Sequence, residues 1–179
     1  RILLIDADLR RPTQHKLFQM DNSVGLSSVL MEEVALKDAI QRTHVPNMDV
    51  LLGGPQLPPS VNSPAELFDG DKMTDILAQL TEYDIVVIDS SPISAVANPL
   101  ILSRLVDGVL MVVFAGQTPR ELVVQCANRL KEMHANILGA VVNKFDYRRS
   151  GYGYGYGYYY YRYGYGYYGE DRDQERKPT

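Results

Sequence analysis

Five short apolar runs divide the chain, and each run ends in polar or turn-forming residues. The runs are continuous rather than alternating, and they are rich in β-branched residues. That pattern is typical of strands that are covered on both faces, as in a parallel sheet. The sequence therefore predicts strands at residues 2–5, 49–52, 84–88, 108–114 and 137–142.

Between these runs, apolar residues recur at helical spacing, which predicts helices at residues 71–80, 98–105 and 118–133. The last of these helices opens on a capping signature, with Thr118 as the N-cap, Pro119 as the first helical residue and Glu121 in the first turn. Alternation of strands and helices favours a doubly wound, mainly parallel α/β sheet. In such sheets, ligands bind beyond the carboxyl ends of the strands.

The alternation stops near residue 146, where the composition changes. Every tyrosine except Tyr83 lies between Tyr147 and Tyr168, in a segment rich in glycine. A tract of tyrosine and glycine cannot bury a core, because glycine offers no side chain to pack and is entropically costly to order. We therefore expect three parts, which are a domain at 1–146, a Tyr/Gly tail at 147–169 and a charged, disordered terminus at 170–179.

The bulk properties exclude several classes of protein. The chain has 179 residues and a net charge of -4, so its composition does not imply a nucleic-acid-binding surface. Its single cysteine, Cys126, cannot form an internal disulfide. No apolar stretch approaches the roughly 18 residues that a membrane span needs.

Two aspartates follow the first apolar run at alternate positions. Asp6 and Asp8 would face the same cleft if the chain stays extended past the strand end. Neighbouring carboxylates repel each other unless a cation or a proton offsets their charge, and hydrated Mg²⁺ is the hard cation that suits them. Arg10 or Arg11 could pair with a carboxylate or reach a phosphate. The alternative is a solvated loop in which Asp6 caps the helix that follows Pro12.

A third aspartate, Asp89, ends the buried run at 84–88. A buried strand that ends in aspartate is the Walker B pattern, in which the carboxylate holds a metal or the hydroxyl that ligates the metal. Many strands end in aspartate because that residue favours turns, so the pattern is weak by itself. Its combination with the earlier aspartate pair, in this order, is far more specific.

These segments resemble the catalytic domain of bacterial tyrosine kinases, which are relatives of the ParA/MinD-type P-loop ATPases. The segment 6–12 (DADLRRP) is similar to the family's second Walker-type motif, and Asp89 with Pro92 is similar to its Walker B motif. The segment 141–144 (VVNK) resembles the strand end whose asparagine contacts adenine in the wider superfamily. Segments 25–27, 53–55 and 63–67 are similar to linking stretches of the family. The resemblance covers residues 1–146, and the tyrosine tail separates this family from ParA/MinD.

The resemblance implies an enzyme that uses ATP and Mg²⁺ to phosphorylate its own tyrosines. Asp6 would position or deprotonate the incoming phenol and touch the metal through water, Asp8 would assist at the metal, and Asp89 would hold the metal's hydroxyl ligand. Asn143 and Arg11 would contact the nucleotide. The implied phosphoacceptors are the tail tyrosines Tyr152, Tyr154, Tyr156, Tyr158, Tyr159, Tyr160, Tyr161, Tyr163, Tyr165, Tyr167 and Tyr168.

The same resemblance implies particular partners and a location. Subunits would present their tails to each other's sites, as in a ring-like homo-oligomer. A membrane-spanning activator, fused upstream or supplied as a separate chain, would hold the kinase at the cytoplasmic face of the bacterial inner membrane. The cellular role would be control of exopolysaccharide or capsule polymerisation and export.

The chain also departs from the family pattern. The phosphate-binding pattern G-x-x-x-x-G-K-[ST] does not occur in the sequence, and we expect such a loop about two dozen residues before Arg1. The given chain is then expected to be a fragment that neither binds ATP tightly nor catalyses by itself. Ser91 stands where the family usually has the first of two prolines, and Asn98-Pro99 stands where it often has Asp-Ala.

Two other functions fit the residues. One is a ParA/MinD-like ATPase whose Tyr/Gly tail is an adhesive segment that self-associates by stacking. The other is a non-catalytic regulator without a phosphate loop.

Overall fold

The computed structural model describes residues 1–59, 61, 64–68 and 71–145. The predicted tyrosine tail and charged terminus, together with all their candidate phosphoacceptors, lie outside the described residues.

Strands and helices alternate through the described residues. The strands are β1 (Ile2–Asp6), β2 (Ile40–Arg42), β3 (Met48–Leu51), β4 (Ile85–Asp89), β5 (Val109–Phe114) and β6 (Ile137–Asn143). The helices are α1 (Gln14–Phe18), α2 (Leu26–Leu30), α3 (Leu36–Ala39), α4 (Pro64–Phe68), α5 (Asp71–Ala78), α6 (Asn98–Leu102) and α7 (Arg120–Glu132). All five predicted strands are present. The short elements α2 to α4 and β2 were not predicted, and α1 lies after Pro12, where only the alternative interpretation of that segment expects a helix. Within the described ranges, no helix has the length and apolar character needed to cross a bilayer.

The described strands form two sheets. Four strands lie in the order β2-β3-β1-β4, and β1 pairs in parallel with both β3 and β4. The short strand β2 runs antiparallel to β3 at the edge. Strands β5 and β6 form a separate parallel pair. This mainly parallel arrangement agrees with the predicted α/β class and brings the carboxyl ends of β1 and β4 side by side.

The hydrophobic core surrounds β1 and β3, as expected for strands with neighbours on both sides. Leu3, Ile5 and Leu51 are each 0% exposed, and Phe68 and Met73 pack into the same cluster from α4 and α5. Burial of apolar side chains is the main favourable term in folding. The rigid centre of the domain is therefore the strand that ends in Asp6.

Coverage on both faces, which the apolar runs predict, is found for β1 and β3 but is wrong for β4, β5 and β6 within the described residues. Along β5, for example, Leu110 and Val112 are exposed while Met111 and Val113 are half-buried. Helix α7 packs against β6. A continuous apolar run indicates a strand, but it does not specify which segment covers each face.

The predicted cap of α7 is also wrong by one residue. Pro119 is the N-cap, and its carbonyl accepts hydrogen bonds from the backbone N–H groups of Leu122 and Val123 at 3.1 and 3.2 Å. The Thr118 hydroxyl instead accepts a hydrogen bond from the backbone N–H of Phe114 at 3.3 Å. Because this hydroxyl turns back towards β5, it stabilises the strand–helix turn rather than the helix.

A polar network joins β3 to the segment before β4. The Tyr83 hydroxyl donates to Asp49 Oδ2 at 2.9 Å, and the Arg1 guanidinium reaches the same oxygen at 2.7 Å. Burial raises the pKa of Tyr83, and the hydrogen bond to Asp49 raises it further, to about 12. Burial acts to raise the pKa of Asp49 as well, but the hydrogen bonds from Arg1 and Tyr83 outweigh it and leave that pKa below the ordinary value.

We predict that Leu51→Ala lowers the free energy of unfolding by about 2–5 kcal/mol, because the substitution leaves a cavity in the core. Urea unfolding followed by circular dichroism measures the change. Leu17 is 71% exposed, so Leu17→Ala is the matched control, with an expected change below about 0.5 kcal/mol. Equal, small decreases in the free energy of unfolding of the two variants would contradict the position of Leu51 in the core.

Candidate active site

The candidate site begins with the pairing of two strand ends. In the parallel register of β1 and β4, Asp6 lies directly beside Asp89. Backbone hydrogen bonding between β1 and β4 continues one residue further, because the Ala7 backbone N–H donates to the Asp89 carbonyl at 2.7 Å. The two aspartates that the sequence singles out therefore lie next to each other at the carboxyl edge of the sheet, as predicted.

Asp6 is enclosed by the loop that follows it. Its Oδ2 accepts hydrogen bonds from the backbone N–H groups of Thr13 and Gln14 at 3.0 and 3.1 Å, and its Oδ1 accepts one from Asp8 N–H at 3.2 Å. The side chain is 0% exposed. Asp6 thus caps the start of α1, as the alternative interpretation of this segment predicts, while it also occupies the strand end that the catalytic interpretation requires.

The environment of Asp6 raises its pKa above the ordinary value. Burial is the largest influence and raises the pKa of Asp6, and the negative charge of Asp89 adds to the rise. The three backbone hydrogen bonds stabilise the carboxylate and act in the opposite direction, but they do not outweigh burial. A carboxyl group with a raised pKa at a strand end is a candidate for proton transfer.

Two side-chain hydrogen bonds, made by the carboxylates of Asp8 and Asp89, connect the segments that follow β1 and β4. Gln14 Nε2 donates to Asp89 Oδ2 at 2.6 Å, so α1 is linked to the end of β4. Ser91 Oγ donates to Asp8 Oδ1 at 2.7 Å, and the Arg11 backbone N–H donates to the same oxygen at 3.1 Å. The three aspartates therefore belong to a single hydrogen-bonded group formed by the loops after β1 and β4.

This group supplies only oxygen ligands, the type that Mg²⁺ prefers in proteins. Among the residues that the structure describes, no set of three histidine, cysteine or acidic side chains converges closely enough to enclose a metal ion. Magnesium commonly keeps several water ligands and takes one or two carboxylates. The three carboxylates fit a hydrated ion of that kind better than a dehydrated one.

The predicted nucleotide contacts lie in two different places. Arg11 is exposed on the loop beside Asp8. Asn143 is exposed at the end of β6, in the second sheet, where its Oδ1 accepts a hydrogen bond from the Lys144 backbone N–H at 2.7 Å. The structure therefore brings Asp6, Asp8 and Asp89 together, and it does not join Asn143 to them through hydrogen bonds.

Backbone atoms of two glycine-containing loops pack behind Asp6. Leu26 N–H donates to the Leu52 carbonyl at 2.7 Å, and a Cβ on Gly25 would lie 2.2 Å from that same carbonyl oxygen. A Cβ on Gly53 would lie 2.6 Å from Pro12 Cβ and 3.6 Å from Asp6 Cγ. Larger residues at these glycines would push the loops apart, so the close approach fixes the back wall of the site.

Sequence analysis missed Gln14 and the role of Ser91. The adjacent glycines Gly53 and Gly54 are a signal that could have indicated a close approach of backbone, although sequence analysis did not use it. No comparable pattern marks Gln14, because its importance depends on the fold that brings α1 to Asp89. Ser91 was noticed only as a departure from a proline.

Comparison with known proteins finds relatives of this chain among curated proteins and solved structures. No protein-family model matches the chain. Among curated proteins, the tyrosine-protein kinase YwqD of Bacillus subtilis (strain 168) is 39% identical over 144 residues, which are 80% of this chain and 59% of YwqD. The curated relatives of this chain are bacterial tyrosine-protein kinases.

Solved structures agree with this family. The kinase domain of the Escherichia coli tyrosine kinase ETK has a TM-score of 0.77 at 35% identity, over 88% of this chain and 61% of that chain. Cobyrinic acid a,c-diamide synthase from Mycobacterium smegmatis, with a bound ATP analogue and magnesium, has a TM-score of 0.67 at 20% identity, over 83% and 64% of the two chains. At that identity the likeness concerns the fold alone. These likenesses confirm the predicted α/β fold of the P-loop type.

The match to this bacterial tyrosine-kinase family is partial in length. The chain spans 59% of YwqD and 61% of the ETK kinase-domain chain. The likeness therefore establishes the fold and a kinship with bacterial tyrosine kinases, whereas the activity of the whole protein does not follow from it.

We predict that the contribution of Asp6 to stability falls as pH rises. Its native pKa lies above the ordinary value of 3.8, so the native state binds this proton more tightly than the unfolded state does. The stabilisation is complete below the unfolded-state pKa and is lost as pH rises through the native pKa. The unfolding free energy of the unsubstituted protein, minus that of Asp6→Asn, should therefore decrease with pH. Urea unfolding from about pH 4 to pH 8 measures it.

Asp49 is a control for which we expect the opposite dependence of stability on pH. Its pKa is lowered from 3.8, so its stabilisation is present above the unfolded-state pKa and is lost as pH falls through the native one. The corresponding difference for Asp49→Asn should increase with pH below about pH 5, so this titration extends down to about pH 3. The same slope for both variants would refute the assigned environments.

Proposed function

We propose that this protein is a protein-tyrosine kinase that transfers the ATP γ-phosphoryl group to tyrosines of its own C-terminal cluster. The observation that carries the proposal is the gathering of Asp6, Asp8 and Asp89 at the paired ends of β1 and β4, in a chain that has twelve clustered tyrosines between Tyr147 and Tyr168. The names of the relatives, which are tyrosine-protein kinases, support it.

Asp6 is the proposed catalytic residue for the acceptor. Its Oδ1 accepts one hydrogen bond, so this oxygen keeps acceptor capacity for a phenolic hydroxyl. Its raised pKa lies closer to that of a phenol than an ordinary carboxylate's does, which favours proton transfer late in the reaction. Because Asp6 is fully buried, we expect the loop that carries Gln14 to open when the acceptor enters.

Asp8 and Asp89 are the proposed metal-side residues. A bound Mg²⁺ ion would offset the charge on the phosphates of ATP. Asp89 would hold the metal's hydroxyl ligand, while Asp8 and Asp6 would contact metal-bound water. Arg11, exposed beside Asp8, would reach a phosphate, and Asn143 would contact adenine at the end of β6.

The wider proposal concerns assembly and location. Transfer would occur in trans between subunits of a ring-like homo-oligomer, with each tail entering a neighbour's site. A membrane-spanning activator, fused or separate, would hold the kinase at the cytoplasmic face of the bacterial inner membrane. Phosphorylation by the kinase would regulate exopolysaccharide or capsule polymerisation and export. We do not propose nucleic acid as a partner.

The decisive test is incubation of the full-length protein with Mg²⁺ and γ-labelled ATP, followed by mass spectrometry of tail peptides. We expect phosphate between Tyr147 and Tyr168. Asp6→Asn should reduce its rate of incorporation by about 100-fold or more, since general-base catalysis contributes about 10²–10⁴-fold. Asp38→Asn, an exposed carboxylate on α3, is the matched control and should retain the rate.

Two outcomes would contradict the proposal. Hydrolysis of ATP with an unlabelled tail would favour a ParA/MinD-like ATPase with an adhesive Tyr/Gly segment. Full-length protein that neither binds nor hydrolyses ATP would favour a non-catalytic regulator.

We further predict that phosphorylation of the tail dissociates the oligomer. Twelve phosphotyrosines at about −1.5 to −2 charges each add roughly −20 charges per subunit, which drives neighbouring tails apart. Native mass measurement before and after phosphatase treatment tests this prediction, with a variant carrying phenylalanine in place of the tail tyrosines as control. An unchanged mass in both states would contradict it.

A further inference from the structure

The hydrogen bond between Ser91 and Asp8 connects the two loops that form the candidate active site. Ser91 lies two residues beyond Asp89, and Asp8 lies two residues beyond Asp6. The serine is 6% exposed, and its Oγ donates to Asp8 Oδ1 at 2.7 Å. A short O–H···O⁻ bond of this kind is charge-assisted and stronger than a neutral hydrogen bond.

This bond determines which oxygen of Asp8 is available. Oδ1 receives both the Ser91 hydroxyl and the Arg11 backbone N–H, at 2.7 and 3.1 Å. Within the described part of the chain, no group donates to Oδ2 of Asp8. One carboxylate oxygen is therefore held by protein donors, while the other is left for a metal ion or for a water bound to it.

The neighbouring serine has no such role. Ser90 Oγ lies 3.5 Å from the Ser91 carbonyl, at the limit of hydrogen-bond distance, and does not contact a carboxylate. Proline, the residue that the family usually has at position 91, could not donate to Asp8, because it carries no hydroxyl. The link between the two loops is thus specific to the serine at this position.

We propose that Ser91 is a positioning residue that orients Asp8 and thereby raises the affinity of the site for Mg²⁺. This inference rests on the proposed function, because it assumes that Asp8 contacts the metal or its water shell. A residue that orients a ligand in this way typically changes metal affinity or activity by about 10–100-fold. Loss of the hydroxyl leaves the Arg11 backbone N–H as the remaining described donor to Asp8 Oδ1, so the Asp8 side chain is held less firmly and the metal site is less preorganised.

The test measures binding of Mn²⁺, as a spectroscopic substitute for Mg²⁺, to the full-length protein in the presence of a non-hydrolysable ATP analogue. Ser91→Ala should raise the Kd for Mn²⁺ about tenfold. It should also raise the Mg²⁺ concentration that gives half-maximal tail phosphorylation, while the rate at saturating Mg²⁺ stays within about twofold. Ser91→Thr retains a hydroxyl and should restore the affinity, and Ser90→Ala is the matched control.

A double-mutant cycle with Asp8→Asn separates positioning from general stabilisation. If Ser91 acts through Asp8, Ser91→Ala has no further effect on Mn²⁺ affinity in the Asp8→Asn background. An unchanged Kd in Ser91→Ala, or an undiminished effect without the Asp8 carboxylate, would overturn the inference. If Ser91→Ala does not fold, Ser91→Pro provides the same test with the residue that is usual in the family.

The inference and the proposed function can fail separately. Absence of tail phosphotyrosine would refute the kinase proposal, whereas the Mn²⁺ titration would still decide the role of Ser91. Conversely, active phosphorylation combined with an Mn²⁺ affinity that is independent of Ser91 would refute only the inference.

Discussion

The parallel pairing of β1 with β4 is the constraint on which the candidate site depends. It brings Asp6 beside Asp89, and each following loop then contributes a second polar residue, Asp8 from one and Ser91 from the other. Because β1 lies in the apolar centre of the domain, this pair of strand ends is held by burial of the surrounding core. The cost of placing two carboxylates together is met by backbone N–H groups and by the amide of Gln14.

The positions of the strands could be predicted from the sequence, since apolar runs bounded by turn residues depend on local pattern alone. The proximity of Asp6 and Asp89 could also be predicted, because parallel strands end at a common edge. The contacts of Gln14 and Ser91 could not, since a hydrogen bond between residues 14 and 89, or 8 and 91, exists only after the strands have paired. The prediction that β5 is covered on both faces was wrong for the same reason, because the exposure of a strand depends on which other segments pack against it.

Side chains and backbone contribute different parts of the candidate site. Carboxylates would provide the proposed chemistry, and their orientation comes from N–H groups of the loop 8–14 and from one hydroxyl and one amide. The back wall consists of main chain, where Gly25 and Gly53 allow two loops to approach more closely than any other residue would permit. Because the back wall is fixed, the loop 8–14 is the segment that would have to move if the proposed acceptor is to reach Asp6.

Tyr83 differs in kind from the twelve tyrosines of the tail. Its hydroxyl is already committed to Asp49, and its pKa of about 12 makes the phenolate harder to form than in an ordinary tyrosine. A phosphate there would have to replace a hydrogen-bond donor with a dianion beside a carboxylate, which like-charge repulsion opposes. Tyr83 is thus a poor acceptor for the proposed modification, and an antibody against phosphotyrosine would report mainly on the tail if the proposed function holds.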